Sequence, residues 1–329
     1  MRQEQFEAEN QALWDELAAL MEDLQRPRRQ RKSTLQEQSR FPQGYHQLCG
    51  HYALARSRGF SPSLVEHLHT LVVRGHPILY RRKSEWRWRL LNFALFGFPQ
   101  AFRRHLGCFL VALFFFLVPA LLMGTGCYLQ EDMLYSVMGE DEVASMEGAY
   151  NPENDHPGRP ENRSSETDFT MFGYYILNNI GIGFRTFALG ILAGVGSLFI
   201  LIFNGVAIGG VAGHLTRLGY NETFWPFVSG HGAFELTALV ICGGAGLLVG
   251  RAVLAPGAHG RLVSLKQASL EALQLVMGAA LMLTVAAFIE AFWSSSTFEP
   301  RVKYSVAAVL WLIVILYLSF MGRVRRGSR

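Results

Sequence analysis

The sequence predicts an all-α, polytopic membrane protein: a helical bundle of about six crossings, one short or re-entrant, after an N-terminal cytoplasmic helical segment. Charged residues are concentrated in the first hundred residues, whereas most of the remainder consists of apolar blocks with few charges. This distribution is typical of a water-soluble part followed by membrane spans. The 33 glycines are concentrated in the apolar part, where small residues allow helix backbones to approach closely.

The predicted cytoplasmic helical segment covers residues 1–85. Apolar side chains recur at helical spacing between residues 5 and 24, which predicts an amphipathic helix. A basic, polar linker over residues 26–40 follows, and shorter helices are expected over residues 41–83. Because the linker lacks accompanying aromatic residues or a recognisable motif, we expect no nucleic-acid partner.

The next segment, residues 86–106, mixes tryptophan and phenylalanine with arginine. This composition is typical of an amphipathic helix that lies in the membrane interface, and we assign the segment to that environment. The first span follows at about 107–127. Residues 128–170 carry eleven Asp or Glu and only two Arg residues, and they are predicted to form an extracytoplasmic acidic loop.

An apolar block over residues 171–213 is too long for one straight crossing. A helix of its 43 residues would be about 65 Å long, roughly twice the thickness of the hydrocarbon core. The block therefore contains two crossings, or one crossing with a re-entrant or interfacial piece. The transmembrane domain is predicted to cover residues 107–322, with further spans at about 232–253, 272–293 and 304–322. Residues 323–329 are predicted to form a basic cytoplasmic tail.

Basic residues predict the orientation. Residues 1–106 carry seventeen Lys or Arg residues, and the C-terminal tail carries four Arg residues. Because Lys and Arg near membrane spans favour the cytoplasmic side, the N- and C-termini are both predicted to be cytoplasmic. An even number of crossings is then required, and six result if the 171–213 block crosses twice.

Several ionisable and amide side chains lie at membrane depth in the C-terminal half. A charged group at the bilayer centre costs roughly 2.5–3.5 kcal/mol on insertion scales, so these groups are expected to face the bundle interior and to pair. They predict a polar intramembrane site with Arg185 or Arg251 as counter-charges; alternatively, the same residues only fix helix packing. The predicted cluster comprises His231, Glu235, Glu290, Asn204, Asn179, Arg251 and Arg185.

The pair His231-x-x-x-Glu235 is half of a zinc-binding pattern, because residues four apart share a helix face. A third ligand would have to be His214 or Glu290 from another segment, and no HExxH motif is present. No nucleophile elbow is recognisable either. The sequence therefore predicts no metal, no cofactor and no enzymatic activity, with an intramembrane hydrolase or metal enzyme as the minor alternative.

The apolar half carries motifs in a fixed order: the NNIGIGFRTFALG stretch, an Asn-Gly pair, the HGAFE motif, a Pro-Gly pair and the IEAF run. Over about residues 100–322, this order resembles the stage II sporulation protein M family of bacterial membrane proteins. Phe184 and Arg185 depart from the family's pattern, so the resemblance does not extend to Arg185. The resemblance assigns structural roles to Gly205, Gly232, Pro256 and Gly257.

The resemblance implies a scaffold or assembly protein of the bacterial inner (cytoplasmic) membrane. The family's name comes from a protein that helps to assemble a cell-wall-degrading complex in sporulating bacteria. Longer relatives often accompany MoxR-type ATPases, so such systems are expected as partners in addition to the lipid bilayer. A homodimer is also expected, because the glycine-rich helices offer packing surfaces. The alternative is an ion or small-solute transporter or channel that uses Glu235, Glu290 and His231.

Overall fold

The computed structural model describes residues 2–26, 30, 32–79, 86–154, 156–158, 165–257 and 260–323. Over these residues the chain is helical and contains no β-strand, which confirms the all-α prediction. The chain divides into two compact units, Met1–Arg87 and Trp88–Arg329. Of the predicted basic tail, only Arg323 lies within the described residues.

Over its described residues, the first unit contains three helices, α1 (Gln3–Gln25), α2 (Leu35–Ser57) and α3 (Pro62–Leu79). Their apolar faces meet in one core, in which Trp14 and Leu48 are fully buried. A capping box sets the start of α2, because Thr34 and Glu37 each accept a hydrogen bond from the other's backbone N–H. The predicted amphipathic helix over residues 5–24 corresponds to α1.

Two short helices lie where the sequence predicts one interfacial helix over 86–106, and the second unit begins within the first of them. In α4 (Trp86–Asn92), Trp86 and Trp88 are exposed. A π-helical turn separates α4 from α5 (Phe98–Arg104), whose Phe98 and Phe102 are buried in the core of the unit. The aromatic residues of the predicted interfacial helix are thus divided between α4, where the tryptophans are exposed, and α5, which packs inside the bundle.

Longer helices form the remainder of the second unit. In the part of this unit that the structure describes, the α-helices after α5 are α6 (Leu106–Leu129), α7 (Glu140–Tyr150), α8 (Ser165–Ala188), α9 (Val195–Arg217), α10 (Asn221–Leu254), α11 (Arg261–Ile289) and α12 (Pro300–Phe320). Among these described helices, five are long and apolar enough to cross a membrane: α6, α9, α10, α11 with its extension to Ser294, and α12.

The apolar 171–213 block is divided between α8 and α9. A short 3₁₀ turn, Leu189–Ile191, follows α8, and Gly194 then adopts φ +83°, a left-handed conformation that glycine accepts without strain. α8 contains 24 residues but carries acidic residues in its first turn and Arg185 in its last. It is therefore more polar than the five helices that meet the criteria for a membrane span.

Helices α6 and α9 pack backbone against backbone and run parallel. Glycines spaced four residues apart on α9 face carbonyl groups spaced four residues apart on α6, leaving no room for side chains. Residue numbers rise together along both helices, which fixes the parallel direction. The contacts are Gly205 on Phe116, Gly209 on Ala120 and Gly213 on Gly124.

Helix α8 runs opposite to α6 and α9. Along α8 and the turn after it, Gly183 lies against Cys242 and Gly190 lies against Gly246, so α8 is parallel to α10. α9 is antiparallel to α10, because Leu201 contacts Gly243 and the earlier Ser197 contacts Gly246. The chain therefore reverses direction between α6 and α8 and again between α8 and α9.

The acidic segment between α6 and α8 is held to one end of the bundle. Glu131 forms an ion pair with Arg217 at 2.6 Å, and Glu147 on α7 contacts His214 at 2.7 Å. The hydroxyl of Thr223 donates to the carbonyl of Tyr150 at 2.6 Å. These bonds bring the end of α7 next to the start of α10.

Candidate functional site

Three of the predicted residues converge inside the second unit. His231 and Glu235 lie one turn apart on α10, and Glu290 begins the π-helical turn Glu290–Ser294 that follows α11. One nitrogen of His231 and one carboxylate oxygen from each glutamate all lie within 4.8 Å of one another. His231 is buried, and the two glutamates are partly buried. We call these three residues the His–Glu–Glu cluster.

The π-helical turn orients the histidine. The wider turn directs the Ser294 hydroxyl towards His231, and its Oγ lies 2.9 Å from Nδ1 of the ring. The ring is therefore held with Nε2 on the side of Glu235, whose Oε2 lies 3.9 Å away. The Ser294 carbonyl also accepts a hydrogen bond from the buried Lys303 ammonium at 2.8 Å. π-helical turns occur frequently at functional sites for this reason, since they redirect single side chains.

The acidic segment supplies the outer wall of the site. The ring of Tyr150 packs edge-on against Phe227, which in turn packs edge-on against His231 at 5.4 Å between centroids. The His156 Nδ1–H donates to the carbonyl of Ser295 at 3.0 Å. Burial raises the pKa of the Tyr150 hydroxyl, and the nearby carboxyl group of Glu290 raises it further. Tyr150 is therefore a protonated hydrogen-bond donor beside the cluster at neutral pH.

An apolar groove of about 700 Å³ reaches the cluster. His231, Gly232 and Glu235 line one side of it, and apolar side chains from α6, α9, α10 and α12 form the other walls. Several of these apolar side chains are exposed on the surface of the bundle, so the groove opens sideways; among them are Leu121, Trp225 and Trp311. Within the described residues, Oε2 of Glu235 is buried without a hydrogen-bond partner.

The predicted counter-charges are not at the cluster. Arg185 is exposed, and its Nε donates to the Gly181 carbonyl of its own helix. Arg251 is exposed and lies sixteen residues after Glu235, about 24 Å along a straight helix. The cation next to the cluster is Lys303 instead.

The two predicted asparagines have different environments. Asn204 donates to the Ile200 carbonyl within its own helix at 2.8 Å and does not join the cluster. Asn179 is buried and accepts a hydrogen bond from Asn178 at 3.0 Å. It lies one turn after the buried Tyr175, which packs against Ala287 and Ala291 near Glu290. Asn179 is therefore on the α8 side of the site.

The predicted structural residues have separate roles. Gly205 allows α9 to contact α6, and Gly232 lines the groove. Gly257 has φ +70° in the turn between α10 and α11, and the Pro256 carbonyl accepts a hydrogen bond from the Ser264 hydroxyl. His214, the other possible third zinc ligand, contacts Glu147 instead, so of the two candidates Glu290 is the one that converges with His231 and Glu235.

Three residues of the site lie outside the set that the sequence predicts: Ser294, Lys303 and Tyr150. The signal for the first two is weak but present, since a run of three serines ends the α11 span and a lysine lies in the first turn of the last span. Tyr150 has no local signal, because its position depends on how the acidic segment folds back.

Comparisons with known proteins divide the chain at the same place as the structure. The family model of stage II sporulation protein M matches residues 105–295, and a model described as a domain of unknown function, DUF8413, matches residues 4–81. No curated protein and no solved structure matches the chain. The first match contains the whole His–Glu–Glu cluster, and the second covers the three-helix unit.

Proposed function

Since this chain belongs to the stage II sporulation protein M family, whose model covers residues 105–295 of 329, we propose that it is a bacterial membrane protein that binds a membrane lipid in its transmembrane domain. The observation that carries the proposal is the groove, which joins apolar walls to the polar His–Glu–Glu cluster. A scaffold with a dry, fully paired cluster would have no need of such an opening.

The shape and lining of the groove suit an amphipathic molecule. Its volume of about 700 Å³ falls in the range of ligand pockets, roughly 300–1,000 Å³. Exposed apolar side chains on membrane-crossing helices face lipid chains, so a lipid can enter from the side without leaving the bilayer. Its chain would lie along Leu121 and Trp311, and its polar end would reach His231 and Glu235.

Filling the groove tests the proposal. A Cβ at Gly232 would make only ordinary van der Waals contact with Leu236 at 3.8 Å, so Gly232→Leu is expected to fold and to block the groove. Gly173→Leu on α8 is the matched control, because nothing lies within 4 Å of its Cβ position and it does not line the groove.

The measurement is native mass spectrometry of the full chain in detergent with added phosphatidylglycerol. We expect one lipid to remain bound to the wild type and to Gly173→Leu, with at least tenfold weaker retention by Gly232→Leu. Equal retention by all three proteins would refute the lipid site.

A scaffold or assembly role is the second candidate function. It is favoured by the separate N-terminal unit, which has its own core and its own family match and so offers a distinct surface to protein partners. In this role the protein is non-enzymatic, forms a dimer and works with partners such as MoxR-type ATPase systems. Cross-linking of the full chain in membranes, followed by identification of the captured proteins, tests it; recovery of monomer alone would exclude both the dimer and the assembly role.

Ion or small-solute transport through the same cluster is a third candidate, favoured by two carboxyl groups at membrane depth. It requires that purified protein in liposomes moves an ion and that Glu235→Gln abolishes the flux while the protein remains folded. Equal flux in the wild type and Glu235→Gln would exclude this role for the cluster.

We also propose six crossings with both termini in the cytoplasm of a bacterium. The support is the direction of α8, which is opposite to α6 and α9, together with its length of 24 residues, about 36 Å. With α8 included, successive crossings alternate in direction from α6 to α12. The basic N-terminal segment then assigns the acidic segment and the cluster to the extracytoplasmic side.

A further inference from the structure

We propose that His231, Glu235 and Glu290 bind a divalent first-row transition-metal ion such as Zn²⁺ or Mn²⁺. The site goes beyond the lipid-binding function and does not depend on it, since its three donor atoms all come from side chains of the protein. One imidazole nitrogen and two carboxylate oxygens form a donor set that suits these ions.

The distances permit one ion between the three side chains. Metal–ligand bonds of about 2.0–2.2 Å place the donors of one ion roughly 3–3.5 Å apart. The donor atoms here lie within 4.8 Å of one another, and His231 Nε2 is separated from Glu235 Oε2 by 3.9 Å. Small side-chain rotations, with shifts of about an ångström, are enough to close the site around an ion.

The histidine already has the orientation of a metal ligand. Metal-bound histidines use their second nitrogen to donate a hydrogen bond, which fixes the tautomer and the ring. In the tautomer whose Nδ1–H donates to the Ser294 hydroxyl, at 2.9 Å, the Nε2 lone pair lies on the side of Glu235, whose Oε2 is 3.9 Å away. The π-helical turn therefore supplies the supporting hydrogen bond of a metal site.

The charges favour a cation. Two carboxyl groups this close in a partly buried site are both ionised only if a cation offsets their repulsion; otherwise one of them holds a proton. Lys303 provides one positive charge nearby, and its ammonium is hydrogen-bonded to the Ser294 carbonyl. A divalent ion would allow both glutamates to be ionised.

The remaining coordination positions face the groove, because His231 and Glu235 line it. A site with three protein ligands and an open position is the arrangement by which metal ions contact a substrate. If the proposed lipid-binding function holds, the polar end of the lipid would meet the ion there; the metal site itself does not rest on that function.

Metal binding by the full-length chain tests the site. Tag-free protein in detergent is stripped with a chelator and titrated with Zn²⁺ and with Mn²⁺ by calorimetry, and the bound metal is counted by elemental analysis. We expect one ion per chain, with affinity at least a hundredfold weaker in Glu235→Gln and Glu290→Gln. Glu222→Gln, which removes an exposed carboxylate at the start of the same helix, should bind as the wild type does.

Two further variants keep the test decisive. Ser294→Ala retains all three ligands and should weaken binding by about 10–100-fold, the usual effect of removing a supporting hydrogen bond. Gly232→Leu should lose lipid but keep the metal, so failure of the lipid site can be distinguished from failure of the metal site. The proposal is overturned if the wild type binds no more Zn²⁺ or Mn²⁺ than a folded Glu235→Gln/Glu290→Gln double variant.

Discussion

Asp23, at the end of α1, organises the connection to α2 with a single carboxylate. It accepts hydrogen bonds from the Ser33 hydroxyl at 2.6 Å and from the backbone N–H groups of Lys32 and Ser33. These bonds, with the Ser33 hydroxyl contributing most, lower its pKa from 3.8 to about 2. Because the folded-state pKa is lowered, the stabilisation is present above about pH 4 and is lost as the pH falls towards 2.

Asp23→Ala is expected to expose the amides of Lys32 and Ser33. Hydrogen exchange of the full chain, read by mass spectrometry, should be faster in the variant for this peptide at pH 5–6. The difference from the wild type should shrink as the pH approaches 2, where the native carboxyl group also becomes protonated. Asp15→Ala, an exposed change elsewhere on α1, is the control. An equal difference at pH 5 and pH 2 would contradict this account.

At the residue scale, the sequence predicts those members of the cluster that are ionisable and lie within or beside an apolar stretch of the sequence. Glu235 and Glu290 stand out because apolar residues surround them, and His231 stands out because it lies four residues from Glu235. Ser294 and Lys303 reach the cluster only because a π-helical turn and the chain reversal after it place them there. Lys303 at a span's first turn is otherwise typical of a residue that faces the lipid headgroups.

At the element scale, the backbone contact between α6 and α9 leaves no room for a side chain on α9. A Cβ at Gly209 would overlap the backbone of Ala120, and a carbonyl on a helix cannot move aside as a flexible side chain can. Overpacking of this kind costs about 1–3 kcal/mol or more.

Gly209→Val is therefore expected to lower the thermal unfolding midpoint of the detergent-solubilised protein by several degrees. Gly107→Val on α6 is the matched control, because nothing lies within 4 Å of its Cβ position. Static light scattering during heating, with size-exclusion chromatography of the unheated samples, measures both. Similar unfolding midpoints for the two variants would show that α6 and α9 can move apart to accommodate the valine at little cost in stability.

Hydropathy predicts the existence of the long helices better than it predicts where they begin. α10 begins at Asn221, whereas the apolar pattern starts near residue 232. Pro226, the sixth residue of the helix, lies just beyond the first turn and offers no backbone N–H to the Glu222 carbonyl. The polar start is stabilised by Tyr150, which packs against Phe224 and accepts a hydrogen bond from Thr223. Such long-range contacts have no signature in a local sequence window.

At the scale of the whole molecule, the sequence predicts the family and the all-helical class, and both are confirmed. The length of the 171–213 block excludes one straight helix but does not predict where the block is divided. The division is set by the left-handed conformation of Gly194 and by the parallel contact of α9 with α6. Glycine spacing alone does not reveal a partner helix or its direction.

Single cysteines test the six-crossing proposal. In a background without the four native cysteines, Ser136→Cys in the acidic segment should react with a membrane-impermeant maleimide in spheroplasts. Ser57→Cys in the N-terminal unit and Ser328→Cys in the tail should react only after lysis. Labelling of Ser328→Cys but not Ser57→Cys in intact spheroplasts would indicate an odd number of crossings and exclude α8 as the sixth.

The parallel contact between α6 and α9 also has a consequence for biogenesis. Gly205 on α9 is synthesised 89 residues after Phe116 on α6. At about 5–20 residues per second, the nascent α6 is therefore present for roughly 4–18 s before the contacting part of α9 is made. During this interval its glycine-matched surface meets only lipid or the insertion machinery. Ribosome stalling after residue 190, compared with stalling after 254, should therefore leave α6 accessible to insertase cross-linking only in the shorter chain.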